Sequence, residues 1–106
     1  MADLPLPAGF IAAAAALNDW LEGFGAKGVI IGGVASSLLG KPRLTQDLDV
    51  LTIVAEEGWP ALLAAAAAHD IASRIDAPME FARRTRVLLM RHVPSGIDID
   101  VTLGGL

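Results

Sequence analysis

The chain has 106 residues, of which 54% are hydrophobic, and its mean hydropathy is +0.55, so we expect one domain with a single core. A formal net charge of −4 argues against a generally basic nucleic-acid-binding protein. The absence of cysteine excludes disulfides, thiolate metal sites and cysteine nucleophiles. Residues 1–7 lack the positive charge of a secretory signal, and the uncharged stretch 4–18 is shorter than the ~20 residues that span a bilayer. We therefore expect a cytoplasmic protein with no membrane partner.

Helical and extended patterns alternate in the first half of the chain. Apolar residues recur at helical spacing over 7–25, which predicts a helix that stops at Gly25. The β-branched run 29–31 predicts a short strand. The stretch 34–40 favours a short second helix that is closed by Gly40.

The second half contains two strand-like segments, 48–54 and 97–103. Between them a third helix is predicted over 60–75, because a proline suits its first turn and alanine is a strong helix former. The apolar runs within 79–93 favour a hairpin or a bent strand. The order α-β-α-β-α-β-β-β predicts an α/β (α+β) domain over residues 1–106, with helices packed on a mixed sheet.

Two pairs of aspartates mark the strand-like segments: Asp47 with Asp49, and Asp98 with Asp100. Residues two apart in a strand face the same side, with about 6.5–7 Å between their Cα atoms. If the two strands are neighbours in register, three or four carboxylates converge, which raises their pKa values or requires a cation. Oxygen-only ligation by carboxylates suits Mg²⁺ or Mn²⁺. The alternative is a pair of exposed acidic strand faces, as in many half-exposed sheets.

Gly32 and Gly33 follow the first predicted strand and precede the second predicted helix. Glycine at such a junction lets a phosphate approach the backbone, and a helix start offers free N–H groups. A tight strand-to-helix turn without a ligand is the alternative. A phosphate cradle beside a carboxylate cluster is what metal-assisted phosphoryl or nucleotidyl transfer requires.

The segment "IGGVASSLLGKPRLTQDLDVLTIV" resembles the core motif of the DNA polymerase β-type nucleotidyltransferase superfamily. That motif is a hydrophobic residue, Gly, Gly or Ser, a spacer, and Asp-hydrophobic-Asp/Glu-hydrophobic. The part "GKPRLTQDLDV" is similar to the small prokaryotic branch that includes AbiEii-like toxins and minimal nucleotidyltransferases, in which an arginine and a threonine precede the first aspartate. The resemblance covers 28–54 strongly and 96–103 less strongly.

The resemblance implies a palm-like core and assigns two groups of residues. The nucleotide-binding group comprises Gly32, Gly33, Ser36 and Arg43. The group that is both catalytic and metal-binding comprises Asp47, Asp49 and Asp100. Asp98 is the weaker candidate for the third carboxylate. Gly33 stands where many members of the family have serine, so that hydroxyl would have to come from Ser36 or Ser37.

A nucleotidyltransferase of this kind uses Mg²⁺ or Mn²⁺ to move a nucleoside monophosphate from a nucleoside triphosphate to a hydroxyl. The resemblance leaves RNA, a protein or a small molecule open as acceptor. It also implies a toxin–antitoxin setting, with a second copy of the chain or a cognate antitoxin as partner. We expect the chain to lack the C-terminal helical part that is usual in the family.

Three further interpretations stay open. The chain could be a catalytically inactive module of the same fold that binds a nucleotide or a partner. The motif Asp98-x-Asp-x-Thr102 also matches the nucleophile motif of haloacid-dehalogenase-like phosphatases, although that family carries it near the start of the fold. The arginines of the stretch 83–91 belong to a solvated or salt-bridged strand face, or they contact a nucleic acid or a nucleotide.

Overall fold

A mixed five-stranded sheet organises the chain, with helices packed on one of its faces. The computed structural model describes residues 8–32 and 47–105. In this part of the chain the helices are α1 (Ala8–Phe24), α2 (Trp59–Ala65) and α3 (Pro78–Thr85), with 3-10 turns at Glu56–Gly58 and Ala66–His69. The strands are β1 (Gly28–Gly32), β2 (Leu48–Ile53), β3 (Ile71–Ser73), β4 (Val87–His92) and β5 (Ile97–Gly104).

The strand order across the sheet is β1-β2-β5-β4-β3. The central pair β2 and β5 is parallel, whereas the other three pairs are antiparallel. This arrangement confirms the predicted fold class, a mixed sheet with helices packed on it. The predicted strands at 29–31, 48–54 and 97–103 correspond to β1, β2 and β5.

Alternate residues of the central strands point into one apolar core beneath the helices. Leu48 and Val50 from β2 and Ile99 and Val101 from β5 are at most 1% exposed. Two tryptophans complete the core and use their indole N–H groups to satisfy backbone carbonyls. Trp20 Nε1 donates to the Leu62 carbonyl at 2.9 Å, and Trp59 Nε1 donates to the Val54 carbonyl at 2.8 Å. Both residues are therefore packing anchors.

The turn between β4 and β5 is closed by local hydrogen bonds. The Gly96 amide donates to the His92 carbonyl at 2.9 Å, and Gly96 adopts φ +73°, a conformation that favours glycine. The His92 ring is buried, and its Nδ1 lies 2.7 Å from Ser95 Oγ. His92 thus has a structural role in this hairpin.

Two predictions of local structure were wrong. The helix predicted over 60–75 is α-helical only to Ala65 and continues as a 3-10 turn to His69, after which the left-handed Asp70 (φ 59°) redirects the chain into β3, which pairs with β4. The hairpin predicted over 79–93 is instead α3 followed by β4. Pro78 in the first turn of α3 and the left-handed Arg86 at its end delimit this helix. The helix predicted over 34–40 lies outside the described residues.

Gly28 is required where β1 passes close to α1 and β2. A Cβ atom built there would lie 2.5 Å from Leu21 Cδ1 and 2.8 Å from Val50 Cγ2, and both of those residues are buried. Any larger side chain must therefore displace core atoms. Gly23, near the end of α1, has no such neighbour among the described residues within 4 Å.

We expect Gly28→Ala to lower the free energy of unfolding by about 1–3 kcal/mol, because the added methyl overpacks the core. Gly23→Ala adds the same methyl to open space in a helix and should stabilise the protein by up to about 1 kcal/mol. Urea unfolding followed by the fluorescence of the two buried tryptophans measures both. Equal stability of the two variants would show that the close approach at Gly28 is unimportant.

Candidate functional site

The register of the sheet places three predicted site residues side by side. Gly32 of β1 pairs with Asp49 of β2, and Asp49 pairs with Asp100 of β5. Neighbouring strands are about 4.8 Å apart, so this row brings a backbone glycine and two carboxylates together on adjacent strands. The row continues to Leu89 of β4, which pairs with Asp100.

A second row lies one pleat away on the same face. Leu48 pairs with Ile99 in the parallel register, so Asp47, directly before β2, lies next to Asp98. Leu48 and Ile99 are fully buried, and strand alternation therefore turns Asp47 and Asp98 towards the face opposite the helices. We call the four half-buried carboxylates Asp47, Asp49, Asp98 and Asp100 the acidic face.

The charges on the acidic face interact with one another. Partial burial raises the pKa of Asp47, and the negative charges of Asp98, Asp100 and Asp49 raise it further. The positive charge of Arg74 acts in the opposite direction without cancelling these effects. Asp47 is therefore a carboxylate whose ionised form is disfavoured by its surroundings, and an added cation would relieve it.

Asp98 has the opposite electrostatic setting. Partial burial would raise its pKa, but hydrogen bonds and charges from Arg91 and Arg74 outweigh burial and lower the pKa below its usual range. Arg91 Nε donates to Asp98 Oδ1 at 2.8 Å, and Arg74 Nη1 lies 2.9 Å from Asp98 Oδ2. Both carboxylate oxygens of Asp98 are thus engaged by arginines, which suits a structural role.

Arg74 is a residue of this site that the sequence-based reasoning missed. It directly follows β3, and its backbone amide donates to the Leu89 carbonyl at 2.9 Å. Its side chain reaches over β4 to β5, where Nη2 donates to Asp100 Oδ1 in a charged hydrogen bond. The sequence-based prediction of a helix over 60–75 excluded the short strand that places Arg74 beside β4. The available signal was electrostatic, since four carboxylates on one face call for a nearby cation.

The arginines of the stretch 83–91 have intramolecular partners. Arg86 Nε donates to the Leu103 carbonyl at 2.9 Å, and the guanidinium lies 5.3 Å from the centroid of the Trp59 ring. Arg84 lies 5.8 Å from the centroid of the Phe81 ring, Arg83 Nε is 3.9 Å from Glu56 Oε2, and Arg91 pairs with Asp98. All four arginines are exposed, and Arg83 and Arg84 lie on α3 and not on the predicted strand face.

The acidic face fits a divalent cation by its chemistry, because all its donors are carboxylate oxygens. In the conformation described, however, no three His, Asp or Glu side chains within 8–32 and 47–105 are grouped to hold a metal ion. Arg74 instead engages Asp100. The predicted nucleotide-binding residues Gly33, Ser36 and Arg43 lie outside the described residues.

Comparison of the chain with protein-family models, with curated proteins and with solved structures finds no match. None of the helices in the described part of the chain is long and apolar enough to cross a membrane. Any function assigned to the acidic face therefore rests on the geometry and chemistry of its own residues.

We expect Asp47→Asn to raise the free energy of unfolding at pH 7 by about 0.5–1 kcal/mol, because it removes like-charge repulsion. The raised pKa means that the folded protein binds this proton more tightly than the unfolded chain. The wild type therefore loses stability as the pH rises through that pKa. The advantage of the variant should vanish as the pH falls through the same range. Urea unfolding at several pH values measures this, and a pH-independent difference would contradict it.

Asp98→Asn should have the opposite effect and lower the free energy of unfolding at pH 7 by about 1 kcal/mol. The lowered pKa of Asp98 contributes stability above the ordinary carboxyl pKa. That contribution is lost as the pH falls through the lowered value, so the variant and the wild type should converge in acid. The same unfolding series provides the measurement. A variant as stable as the wild type at pH 7 would show that the two arginines do not stabilise the fold through Asp98.

Proposed function

We propose that this chain is a metal-dependent nucleotidyltransferase that moves a nucleoside monophosphate from a nucleoside triphosphate to a hydroxyl on RNA, a protein or a small molecule. The observation that carries the proposal is the row formed by Gly32, Asp49 and Asp100 on three adjacent strands. It brings the glycine-containing end of β1 beside two carboxylates from distant parts of the sequence. The resemblance to the small prokaryotic nucleotidyltransferases assigns roles to the same three residues.

In this proposal Asp47, Asp49 and Asp100 would hold Mg²⁺, which when bound neutralises phosphate charge and polarises the phosphoryl oxygens. Gly32 at the end of β1 would allow the triphosphate to approach the backbone. Gly33, Ser36 and Arg43 would complete the nucleotide site. The pairing of β2 with β5 sets the spacing of the carboxylates, and the packed core beneath them keeps that spacing fixed.

Nucleotidyl transfer to a hydroxyl needs no covalent bond between the substrate and the protein. The acceptor oxygen forms a bond to the α-phosphorus while the bond from that phosphorus to the bridging oxygen breaks, and pyrophosphate leaves. Asp100 would orient the acceptor hydroxyl and take its proton. The remaining contribution of the chain is positioning and charge neutralisation, which are the main requirements of phosphoryl transfer.

A non-catalytic nucleotide- or partner-binding module of the same fold is the second candidate. The contact between Arg74 and Asp100 favours it, because that carboxylate is already neutralised without a metal. The two candidates differ in turnover. Both allow a triphosphate to stabilise the chain, but only the enzyme transfers a nucleotide.

The test is transfer of an α-labelled nucleotide to RNA and protein acceptors with and without Mg²⁺. We expect Asp49→Asn to lower the transfer rate by roughly two orders of magnitude or more, because it removes a carboxylate that acts on the transition state. The fold should be retained or stabilised, since like-charge repulsion decreases. Asp19→Asn removes the same charge from an exposed position on α1, on the opposite side of the sheet from the acidic face, and should have wild-type activity.

Three other outcomes would count against the enzyme. Severe unfolding of Asp49→Asn, seen by circular dichroism, would assign that residue a structural role. Equal loss of activity in Asp49→Asn and Asp19→Asn would indicate a general charge effect. Mg²⁺-dependent stabilisation by a triphosphate without transfer to any acceptor would support the non-catalytic module.

A further inference from the structure

Arg74 bridges two of the four carboxylates on the acidic face. Its Nη1 lies 2.9 Å from Asp98 Oδ2, while Nη2 donates to Asp100 Oδ1. The arginine side chain is only 21% exposed, so solvent and salt screen its charge less than that of a surface residue. One carboxylate oxygen of Asp100, the proposed third metal ligand, is thus already bound by the positively charged guanidinium of Arg74.

This bridge spans a long distance across the sheet. The backbone of Arg74 is fixed to β4 by its hydrogen bond to the Leu89 carbonyl, and Leu89 pairs with Asp100. The side chain must therefore extend over Leu89 to reach a strand about 10 Å from its own. The sheet fixes only the backbone of Arg74, so a change of rotamer that breaks the side-chain contacts with Asp98 and Asp100 releases both carboxylates without any change in the sheet.

Two features make that release feasible. Asp98 also pairs with Arg91 Nε at 2.8 Å, so its charge stays compensated whether or not Arg74 moves. The bridging arrangement also leaves Arg74 Nε buried without a hydrogen-bond partner among the described residues. An unsatisfied buried donor is unfavourable, and the bridge is therefore not the arginine's best possible environment.

We infer that Arg74 is an internal counter-ion that competes with the divalent cation for Asp100, an inference that rests on the proposed function. Without the metal ion, Arg74 neutralises Asp100. With the ion on Asp49 and Asp100, a guanidinium at the same carboxylate would be strongly repelled, so Arg74 releases Asp100. The Arg74 contact thereby lowers the affinity for the metal ion. Because Arg74 directly follows β3, metal binding is also linked to the conformation of the segment that joins β3 to α3.

Mn²⁺ affinity, measured on the full chain from the electron paramagnetic resonance signal of free Mn²⁺, tests this competition. Arg74→Gln should bind Mn²⁺ about tenfold more tightly than the wild type or better. Arg91→Gln is the matched control, because it removes an equal charge that touches Asp98 but not Asp100. It should change the affinity by no more than about threefold. Arg74→Lys keeps the charge without the two-pronged contact and should lie between Arg74→Gln and the wild type.

A measurement on the wild type makes the test independent of how the variants fold. The arginine Nε–H resonances can be followed by nitrogen-15 NMR during a Mg²⁺ titration. We expect the Arg74 resonance to shift as the ion binds, because its guanidinium leaves Asp100. The Arg86 resonance should stay in place, since its Nε donates to the Leu103 carbonyl away from the acidic face.

The outcomes separate this inference from the proposed function. If the wild type and Arg74→Gln bind Mn²⁺ with equal affinity, or Mg²⁺ binds without moving the Arg74 resonance, the competition is overturned and the metal site stands. If the wild type and every variant fail to bind Mn²⁺, the metal-dependent function falls and the inference falls with it. A similar gain of affinity in Arg74→Gln and Arg91→Gln would reduce the effect to general electrostatics and would also overturn the inference.

Discussion

The parallel pairing of β2 with β5 is the constraint on which the rest of this structure depends. It places Leu48 beside Ile99 and Val50 beside Val101 in the core, and so turns the intervening aspartates to the opposite face. Side-chain direction alternates with every residue, so a slip of one position would bury carboxylates and expose the core. The free energy of apolar burial therefore fixes the register of the acidic face.

The carboxylates of the acidic face differ in how far neighbouring positive charges offset their own charge. Asp98 is surrounded by arginines and has a lowered pKa, whereas burial and neighbouring charges raise the pKa of Asp47. Among the described residues, the arginines that contact the acidic face, Arg74 and Arg91, lie on the side of β3 and β4. The proposed divalent cation would therefore sit towards β2 and β1, where Gly32 and Asp49 lie.

Much of this arrangement is predictable from sequence because the signals are local. Strand alternation alone puts Asp47 with Asp49 and Asp98 with Asp100, and the β-branched runs locate β1, β2 and β5. The position of Arg74 was not predictable in the same way, because it depends on β3, a strand of three residues that follows a run of alanines. The helix propensity of the alanines predicted a helix through this stretch, and residues 71–73 are extended because they pair with β4. The start of α3 was missed although Pro78 marks it, since the apolar run beyond it suggested an extended chain throughout.

The long sequence separation of the central strands has a consequence for how the protein folds. The β4–β5 hairpin closes through a four-residue turn, whereas β2 reaches β5 from the other half of the chain. Closing such a long loop has a high entropic cost before any contact offsets it. This separation favours formation of the acidic face after the hairpin. The proposed metal-dependent chemistry would then require the complete tertiary structure.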